Sequence, residues 1–163
     1  HFIDMMHFIT GAKFPTSCVC LGGTFTWKDE HAFTAPDCVQ ATWIYPEGFL
    51  VSVSNNLGNG AGCTRKFYGD KGVLKVDNWN APTYLCEGSP RRDGTIRGEK
   101  PVDPVDNPDH FLNWLQCMRS GETPNASIDA GYQHAVAVIM AMTSYETGRK
   151  AVYDPAKRAL TTV

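Results

Sequence analysis

Residues 37–45 and 48–55, which read DCVQATWIY and GFLVSVSN, decide the fold. In the first segment every second residue is apolar and falls on one face of a strand: Val39, Ala41, Trp43 and Tyr45. In the second segment two sets alternate in the same way, Phe49, Val51 and Val53 against Leu50, Ser52 and Ser54. The link Pro46-Glu47-Gly48 has turn chemistry at both ends. The pattern predicts an antiparallel hairpin with one apolar and one mixed face, as in a sheet that is covered on one side only.

Further strands are predicted on both sides of this hairpin. Residues 17–25 form a strand with two cysteines on one face and Val19 and Leu21 on the other. The other predicted strands are residues 63–68, 73–76, 83–86 and, at an edge of the sheet, 151–153. Residues 87–106 are rich in Gly, Pro, Arg and Asp and predict an exposed loop.

The C-terminal third changes to helical periodicity. One predicted helix has Asn107 as its N-cap and Pro108 as its first residue, and it is expected to end at Gly121. Its apolar face consists of Phe111, Leu112, Trp114, Leu115 and Met118. A second helix begins at Ser127 and ends at Gly148. Its apolar stripe is Ala135, Val138, Ile139, Met142 and Tyr145, and because its middle is apolar almost all round we expect it to be the most buried helix.

The order of elements predicts the fold class. The first eleven residues predict a short helix that Gly11 ends. Strands first and paired helices last predict an α+β fold, with an open, largely antiparallel β-sheet, helices packed on one face and the other face available for oligomerisation. At 163 residues we expect a single domain over residues 1–163. Since His1 follows neither a cap residue nor an initiator Met, we expect that the chain was cut from a longer protein.

Composition excludes several functions. A net charge of −2 and a pI near 6.2 leave no electrostatic footprint for nucleic acid or for an anionic membrane. The most apolar run, residues 135–142, is much shorter than the roughly 20 residues of a spanning helix. Six cysteines without a C-x-x-C pair argue against a disulfide scaffold or a structural zinc site. We expect buried, reduced thiols rather than disulfides or metal ligands, and the redox compartment stays open.

Five motifs occur in a fixed order along the chain. They are His1-x-x-Asp4 with Gly11; TFTWKD at 24–29; PDCV at 36–39 with YPEGF at 45–49; FYGDKGVL at 67–74; and HFLNWLQCMRSG at 110–121 with Pro124 and Asp129. In this order they resemble the C-terminal domain of the glucose–fructose oxidoreductase, inositol dehydrogenase and rhizopine catabolism (Gfo/Idh/MocA) family. Each motif is weak by itself, and their common order makes the resemblance specific.

The resemblance implies a two-domain oxidoreductase acting on sugars, cyclitols or glycosides. NAD or NADP would be bound mainly by an N-terminal Rossmann domain and not by this chain, where no G-x-G-x-x-G opens a βαβ unit. Glu99-Lys100-Pro101 matches a family motif of the absent domain and is a decoy in a loop here, as is the glycine cluster 57–62. The chain would be the substrate-binding and oligomerisation domain, inactive alone, with a sugar-like substrate and further copies of itself as partners. We expect it in the cytoplasm, with the periplasm or export as the alternative.

The resemblance also implies site residues. His1 matches the catalytic histidine, which exchanges a proton with a substrate hydroxyl; an imidazole titrating near neutrality suits this role. The alternative is that His1 is a frayed terminal residue. Asp4 would help to bind substrate as a structural or orienting partner rather than as a catalyst. Trp27, Lys28 and His31 would shape a sugar site by stacking and hydrogen bonding, or they form a solvated loop packed by one aromatic side chain.

Two other functions compete with this interpretation. The chain is a non-catalytic oligomerisation or binding module, or it belongs to an NAD-dependent glycoside-cleaving enzyme of the same family. His7 and His134 lie on predicted helices and are expected to be core or surface residues rather than ligands.

Overall fold

A computed structural model describes residues 1–28, 33–85, 97–105 and 109–163. Its elements in these ranges are α1 (Phe2–Thr10), β1 (Ser17–Gly23), β2 (Cys38–Tyr45), β3 (Phe49–Asn56), β4 (Lys66–Tyr68), β5 (Val73–Lys75), β6 (Thr83–Leu85), β7 (Glu99–Pro101), α2 (His110–Ser120), α3 (Ile128–Thr147), β8 (Ala151–Asp154) and β9 (Ala159–Thr162). The chain divides into two compact units, His1–Asn59 with Asp109–Val163, and Gly60–Pro108. That all 163 residues act as one domain stays a prediction.

The first unit contains an open five-stranded sheet in the order β3-β2-β1-β8-β9, in which each neighbouring pair is antiparallel. The hairpin turn closes through Gly48, whose backbone N–H donates to the Tyr45 carbonyl at 3.1 Å and whose φ of 89° suits glycine. The α+β class and the antiparallel sheet are therefore confirmed.

The two faces of this sheet differ as the alternation predicts. Trp43 pairs with Cys18 on one side and Val51 on the other, so these residues share one face. Cys18, Ala41, Trp43 and Tyr45 are buried on that face, whereas Val19, Leu21, Ile44 and Leu50 are exposed on the opposite one. A covered face and an open face follow directly from the period of two.

One edge of the sheet was predicted wrongly. Strand β8 is internal, because it pairs with β1 through Ser17 and Cys18 and with β9 along its whole length. The edge is β9, which the sequence pattern missed. Its four residues mix small, apolar and hydroxyl side chains and give too short an alternation to recognise.

Helix α3 covers the buried face, and α1 packs against α3 and contacts Tyr45 through His7. Both predicted ends of α3 are confirmed: Ser127 caps it by accepting from the Ala130 N–H, and Gly148 follows in the left-handed conformation. Its buried stripe is nevertheless a different one from the predicted stripe: Val136, Ala137, Met140 and Ser144. Val138, Ile139 and Met142 are exposed instead. Because α3 is apolar almost all round, periodicity cannot choose between its faces, and it buries four of 20 residues where α1 buries four of nine.

Side chains of the buried face fix α3 to the sheet. The Trp43 indole N–H donates to the Ala137 carbonyl at 2.9 Å, and the Ser144 hydroxyl accepts from the Cys20 N–H at 2.9 Å. Strand β8 pairs with β1 only at Ser17 and Cys18, so Ser144 satisfies a donor of β1 that lies beyond the end of that ladder. Small residues at 137 and 144 permit this close approach.

Helix α2 begins later than predicted and buries none of its residues. Its N-cap is Asp109, whose carboxylate accepts from the Leu112 N–H at 3.0 Å; Asn107 and Pro108 lie outside the described residues. Its predicted end at Gly121 is confirmed. The predicted apolar face is exposed along its length: Phe111, Leu112, Trp114, Leu115 and Met118. Among the described residues, α3 is thus the helix that packs along the sheet, with α1 beside it.

The second unit holds a four-stranded antiparallel sheet in the order β4-β5-β6-β7. Strand β7 corrects the prediction of a loop, because Glu99, Lys100 and Pro101 pair with Leu85, Tyr84 and Thr83. The predicted strands at 63–68 and 73–76 are shorter than expected, and Cys86 lies outside the described residues.

The described cysteines are free thiols: Cys18, Cys20, Cys38, Cys63 and Cys117. Cys18 and Cys20 are buried, but Cys63 is exposed, contrary to the expectation of buried thiols. Burial raises the pKa of the Cys18 thiol to about 12, which makes it a poor nucleophile.

Candidate functional site

His1 lies at the N-terminal end of α1. It is the N-cap residue, its side chain makes no capping hydrogen bond, and its carbonyl accepts from the Met5 N–H at 3.0 Å. The residue is exposed. Its imidazole is therefore placed at the positive end of a helix with access to solvent.

Asp4, one turn further along, contacts α3. Its Oδ1 lies 3.5 Å from Nδ1 of His134, which is an ion-pair distance if His134 is protonated. That nitrogen is buried and has no hydrogen-bond partner among the described residues. The carboxylate and the imidazole thus link α1 to α3 at a half-exposed site.

His7 continues the same helix into the core. It is only 7% exposed, and its Nε2 lies 2.8 Å from the Tyr45 hydroxyl, with the two rings edge to face. Burial lowers the pKa of His7; among smaller effects, Asp4 and Glu47 raise this pKa and His134 lowers it. Burial likewise raises the pKa of Tyr45 well above its ordinary range. Four polar side chains from three elements therefore meet here: Asp4, His7, Tyr45 and His134.

A second organised segment lies at the other end of β2. Asp37 is 4% exposed, and its carboxylate accepts backbone N–H groups from Phe25 at 2.9 Å, Thr26 at 2.7 Å and Trp27 at 2.8 Å. The hydrogen bonds from Phe25 and Trp27 are the main cause of a lowered Asp37 pKa, to which the nearby Lys28 contributes least. One buried carboxylate thus fixes the start of the loop that follows β1.

The side chains on this loop are presented to solvent. Trp27 is half-exposed, and its indole N–H donates to the Leu57 carbonyl at 3.4 Å. Lys28 is exposed, and its backbone N–H donates to the Thr26 carbonyl. His31, the third residue predicted to line a sugar site, lies outside the described residues. Trp27 offers an aromatic surface suited to stacking on a sugar ring.

The predicted site residues fall into two groups. Asp4 lies beside His134 of α3. His134 precedes Ala137 by three residues, and the Ala137 carbonyl accepts the indole N–H of Trp43. Trp27 is held by Asp37, and Asp37 precedes Trp43 by six residues, about 20 Å along a strand. The structure therefore brings Asp4 together with His134 but places Trp27 and Lys28 toward the opposite end of β2.

Four residues of these two groups were not singled out from the sequence as site residues: His7, Tyr45, His134 and Asp37. The H-x-x-D-x-x-H spacing of α1 was a usable signal for His7, because residues three apart share a helix face. Contacts with Tyr45 and His134 depend on how α1 meets the hairpin and α3, which spacing alone does not give.

The described cavities avoid these residues. One cleft of ≈ 250 Å³ is lined by residues at the start of α2 and before α3: His110, Phe111, Asn113, Trp114, Pro124 and Ala126. A shallower one of ≈ 440 Å³ lies at the hairpin turn. Within the described ranges, three or more metal-ligating side chains do not converge anywhere, and no helix has the length and apolarity needed to cross a membrane.

Comparison with known proteins identifies the fold. No family model and no curated protein sequence matches the chain. Solved structures do match it. Aldose-aldose oxidoreductase from Caulobacter crescentus, complexed with glycerol, aligns over 92% of this chain and 44% of its own, with a TM-score of 0.70 and 14% identity.

Two sugar-nucleotide enzymes match similarly. The WlbA dehydrogenase from Bordetella pertussis, in complex with NADH and UDP-GlcNAcA, aligns over 94% of this chain and 43% of its own, with a TM-score of 0.65 and 19% identity. UDP-N-acetylglucosamine 3-dehydrogenase GnnA from Acidithiobacillus ferrooxidans aligns over 89% of this chain and 44% of its own, with a TM-score of 0.66 and 14% identity.

These neighbours are oxidoreductases of the Gfo/Idh/MocA type, so the resemblance found in the sequence is confirmed at the level of fold. The chain spans less than half the length of each of these proteins.

Proposed function

We propose that this chain is the substrate-binding and oligomerisation domain of an NAD(P)-dependent oxidoreductase that acts on sugars, cyclitols or glycosides. This function rests on one observation: 92% of this chain aligns with 44% of an aldose-aldose oxidoreductase, so nearly the whole chain shares the fold of one part of that enzyme. The neighbours that bind UDP-sugars support a sugar-like substrate. The activity belongs to a longer protein, and the chain alone is inactive.

His1 is the residue that we propose for proton exchange. Its imidazole sits exposed at the N-terminus of α1, where it can accept a proton from a substrate hydroxyl and return it in the reverse direction. Asp4 acts from the next turn by orienting, and its contact with His134 holds the helix that carries His1.

The second polar segment is proposed to contact the sugar. Trp27 offers a stacking surface and Lys28 a donor, on a loop that Asp37 fixes. His31 follows on the same loop in the sequence. Trp27 is bound to Asp37, whereas Asp4 contacts α3 close to the part of that helix that binds Trp43. About 20 Å of strand separates Asp37 from Trp43. Trp27 and Asp4 would therefore contact different parts of a large substrate, such as a nucleotide-linked sugar.

The glycine cluster 57–62 does not fit the pyrophosphate of a nicotinamide dinucleotide. The glycines at 58, 60 and 62 follow β3 but lead to the antiparallel strand β4, and no helix N-terminus follows them to receive a pyrophosphate. NAD or NADP is therefore assigned to a part of the parent protein outside this chain. When bound, it would supply the hydride chemistry, and this chain would supply proton exchange and binding.

The open face of the five-stranded sheet is proposed to join copies of the chain. Val19, Leu21, Ile44 and Leu50 are exposed on it next to hydroxyl side chains such as Thr42 and Ser52. Exposed apolar surface of this kind is typical of homo-oligomer interfaces. This feature alone also supports the second candidate, a non-catalytic oligomerisation module. We place the protein in the cytoplasm, with the periplasm or export as the alternative.

Titration with NADH of the 163-residue chain and of its full-length parent tests the division of labour. We expect binding by the parent and none by the chain; tight binding by the chain alone would refute it. In the parent, His1→Gln should lower kcat by about 10²–10⁴, the usual contribution of a general acid–base. His110→Gln on α2 is the control and should leave kcat unchanged. Product analysis then separates net oxidoreduction from glycoside cleavage.

A further inference from the structure

We propose that α1 is held in place by a proton-sensitive clamp, in which neutral His7 binds Tyr45 while Asp4 faces His134. Protonation of His7 opens the clamp and releases α1 from the β2–β3 hairpin in mild acid. The clamp concerns the attachment of α1 and goes beyond the proposed function, because it holds or fails whether or not His1 catalyses.

The surroundings of His7 accept only one N–H. Nε2 is bound to the Tyr45 hydroxyl at 2.8 Å, and Nδ1 is buried with no partner among the described residues. A neutral imidazole has one N–H and one lone pair, and the tyrosine hydroxyl can pair with either form of Nε2. An imidazolium donates from both nitrogens, so its Nδ1–H would be buried without an acceptor, which is costly.

The charges around His7 come from every element that packs against it. Helix α1 supplies Asp4, α3 supplies His134, and the hairpin supplies Tyr45 and Glu47. The two carboxylates favour a proton on His7, and His134 opposes it, but burial outweighs all of them and lowers the pKa of His7. The charge balance therefore agrees with the hydrogen-bond geometry.

His134 competes with His7 for the same carboxylate. It lies 3.5 Å from Asp4 Oδ1, so a proton on His134 forms an ion pair between α3 and α1. A second proton, on His7, would place two cations beside one aspartate in a partly buried cluster. A proton on His134 would strengthen the contact between α3 and α1. A proton on His7 would instead leave its buried Nδ1–H without an acceptor and so weaken the docking of α1.

The sign of the pH effect follows from the lowered pKa of His7. The released helix binds a proton with the ordinary imidazole pKa of about 6.5, and the docked helix binds it only at lower pH. Docking is therefore fully present above about pH 6.5 and weakens as pH falls below it. One proton is involved, so the opening equilibrium changes at most tenfold per pH unit.

Amide hydrogen exchange of Met5–Thr10 in the 163-residue chain, corrected for intrinsic rates and followed from pH 8 to 4, tests the clamp. In the wild type the opening equilibrium should rise below about pH 6.5 with a slope of one proton. In His7→Gln, which keeps a side-chain amide near Tyr45 but cannot titrate, this rise should disappear. The control His110→Gln should match the wild type. Wild-type exchange that is independent of pH, or an unchanged rise in His7→Gln, would overturn the clamp.

A second measurement decides the matter if His7→Gln does not fold. Imidazole ¹⁵N spectra follow the titration of His7 in the wild type and in His134→Gln, whose changed residue lies at the half-exposed edge of the cluster. Removal of the competing cation should move the His7 midpoint to higher pH. A His7 midpoint at the ordinary imidazole value in the wild type, or an unmoved midpoint in the variant, would contradict the clamp.

Discussion

Trp43 and Ile44 are neighbours on β2, but their side chains lie on opposite faces of the sheet. Trp43 is 3% exposed and donates its indole N–H to α3, whereas Ile44 is 49% exposed on the open face. Along the strand, side chains alternate between the buried face of Trp43 and the exposed face of Ile44. One face of this sheet is therefore committed to the core, and the other is exposed to solvent.

The largest effect should come from the committed face. Trp43→Ala removes a buried ring and its hydrogen bond to Ala137, and we expect a loss of about 3–5 kcal/mol in the free energy of unfolding. The neighbouring control, Ile44→Ala, should lose less than about 1 kcal/mol. Urea denaturation followed by circular dichroism measures both. Similar losses in the two variants would remove the distinction between the faces.

The link between α3 and the sheet should come next. Ser144→Ala leaves the buried Cys20 N–H without its acceptor, which should cost about 1–3 kcal/mol. Thr143→Ala, one position earlier on the same helix, is the control and should stay within about 0.5 kcal/mol of the wild type. A Ser144→Ala variant as stable as the control would mean that Cys20 finds another partner.

The sequence predicts the sheet well because its faces are set locally. Alternation along β2 and β3, with a turn at Gly48, specifies both the pairing and the buried side. The same logic fails on α3, where apolar residues surround the helix and only the sheet selects the buried stripe. It also fails at β9, because four residues carry too little alternation to mark a strand.

The candidate site could be predicted only in part, for a related reason. The spacing of His1 and Asp4 on one helix is local, and the structure has that helix from Phe2 to Thr10. The partners of this helix are not local: His134 approaches from α3 and Tyr45 from the hairpin. Asp37 likewise binds backbone N–H groups ten to twelve residues away, and backbone donors leave no sequence pattern.

The two ends of β2 should respond to acid at different pH values. The Asp37 pKa is lowered mainly by backbone hydrogen bonds from Phe25 and Trp27, so this carboxylate stabilises its loop above the unfolded pKa of about 3.9. That contribution is lost as pH falls from there through the lowered pKa, whereas α1 at the Tyr45 end opens already below about pH 6.5. Amide exchange of Phe25, Thr26 and Trp27 should therefore rise only below about pH 4, by at most tenfold per pH unit.

Two carboxylate variants test whether the acid step belongs to Asp37. Asp37→Asn should expose at least one of the same three amides to exchange at every pH, without an acid step, because an amide offers one acceptor oxygen in place of two. Asp154→Asn removes another carboxylate with a lowered pKa, at the end of β8, and should leave these amides unchanged. An acid step that survives in Asp37→Asn would assign it to a different group.

The smallest effect on stability, and the clearest on assembly, is expected on the open face. Leu21 is 76% exposed there, so Leu21→Lys should change the free energy of unfolding by no more than about 0.5 kcal/mol. Self-association through this face should nevertheless be lost, because the lysine would place a charge against an apolar partner surface. Phe8→Lys, at an apolar position on α1 that is at least as exposed, is the control and should keep the wild-type mass in light scattering. A wild-type chain that stays monomeric at high concentration would contradict assembly through this face. Dissociation of the Phe8→Lys variant alone would assign the interface to α1 instead of the sheet. Loss of association in Leu21→Lys at unchanged stability would show that Leu21, unlike Trp43 on the covered face, serves assembly and not folding.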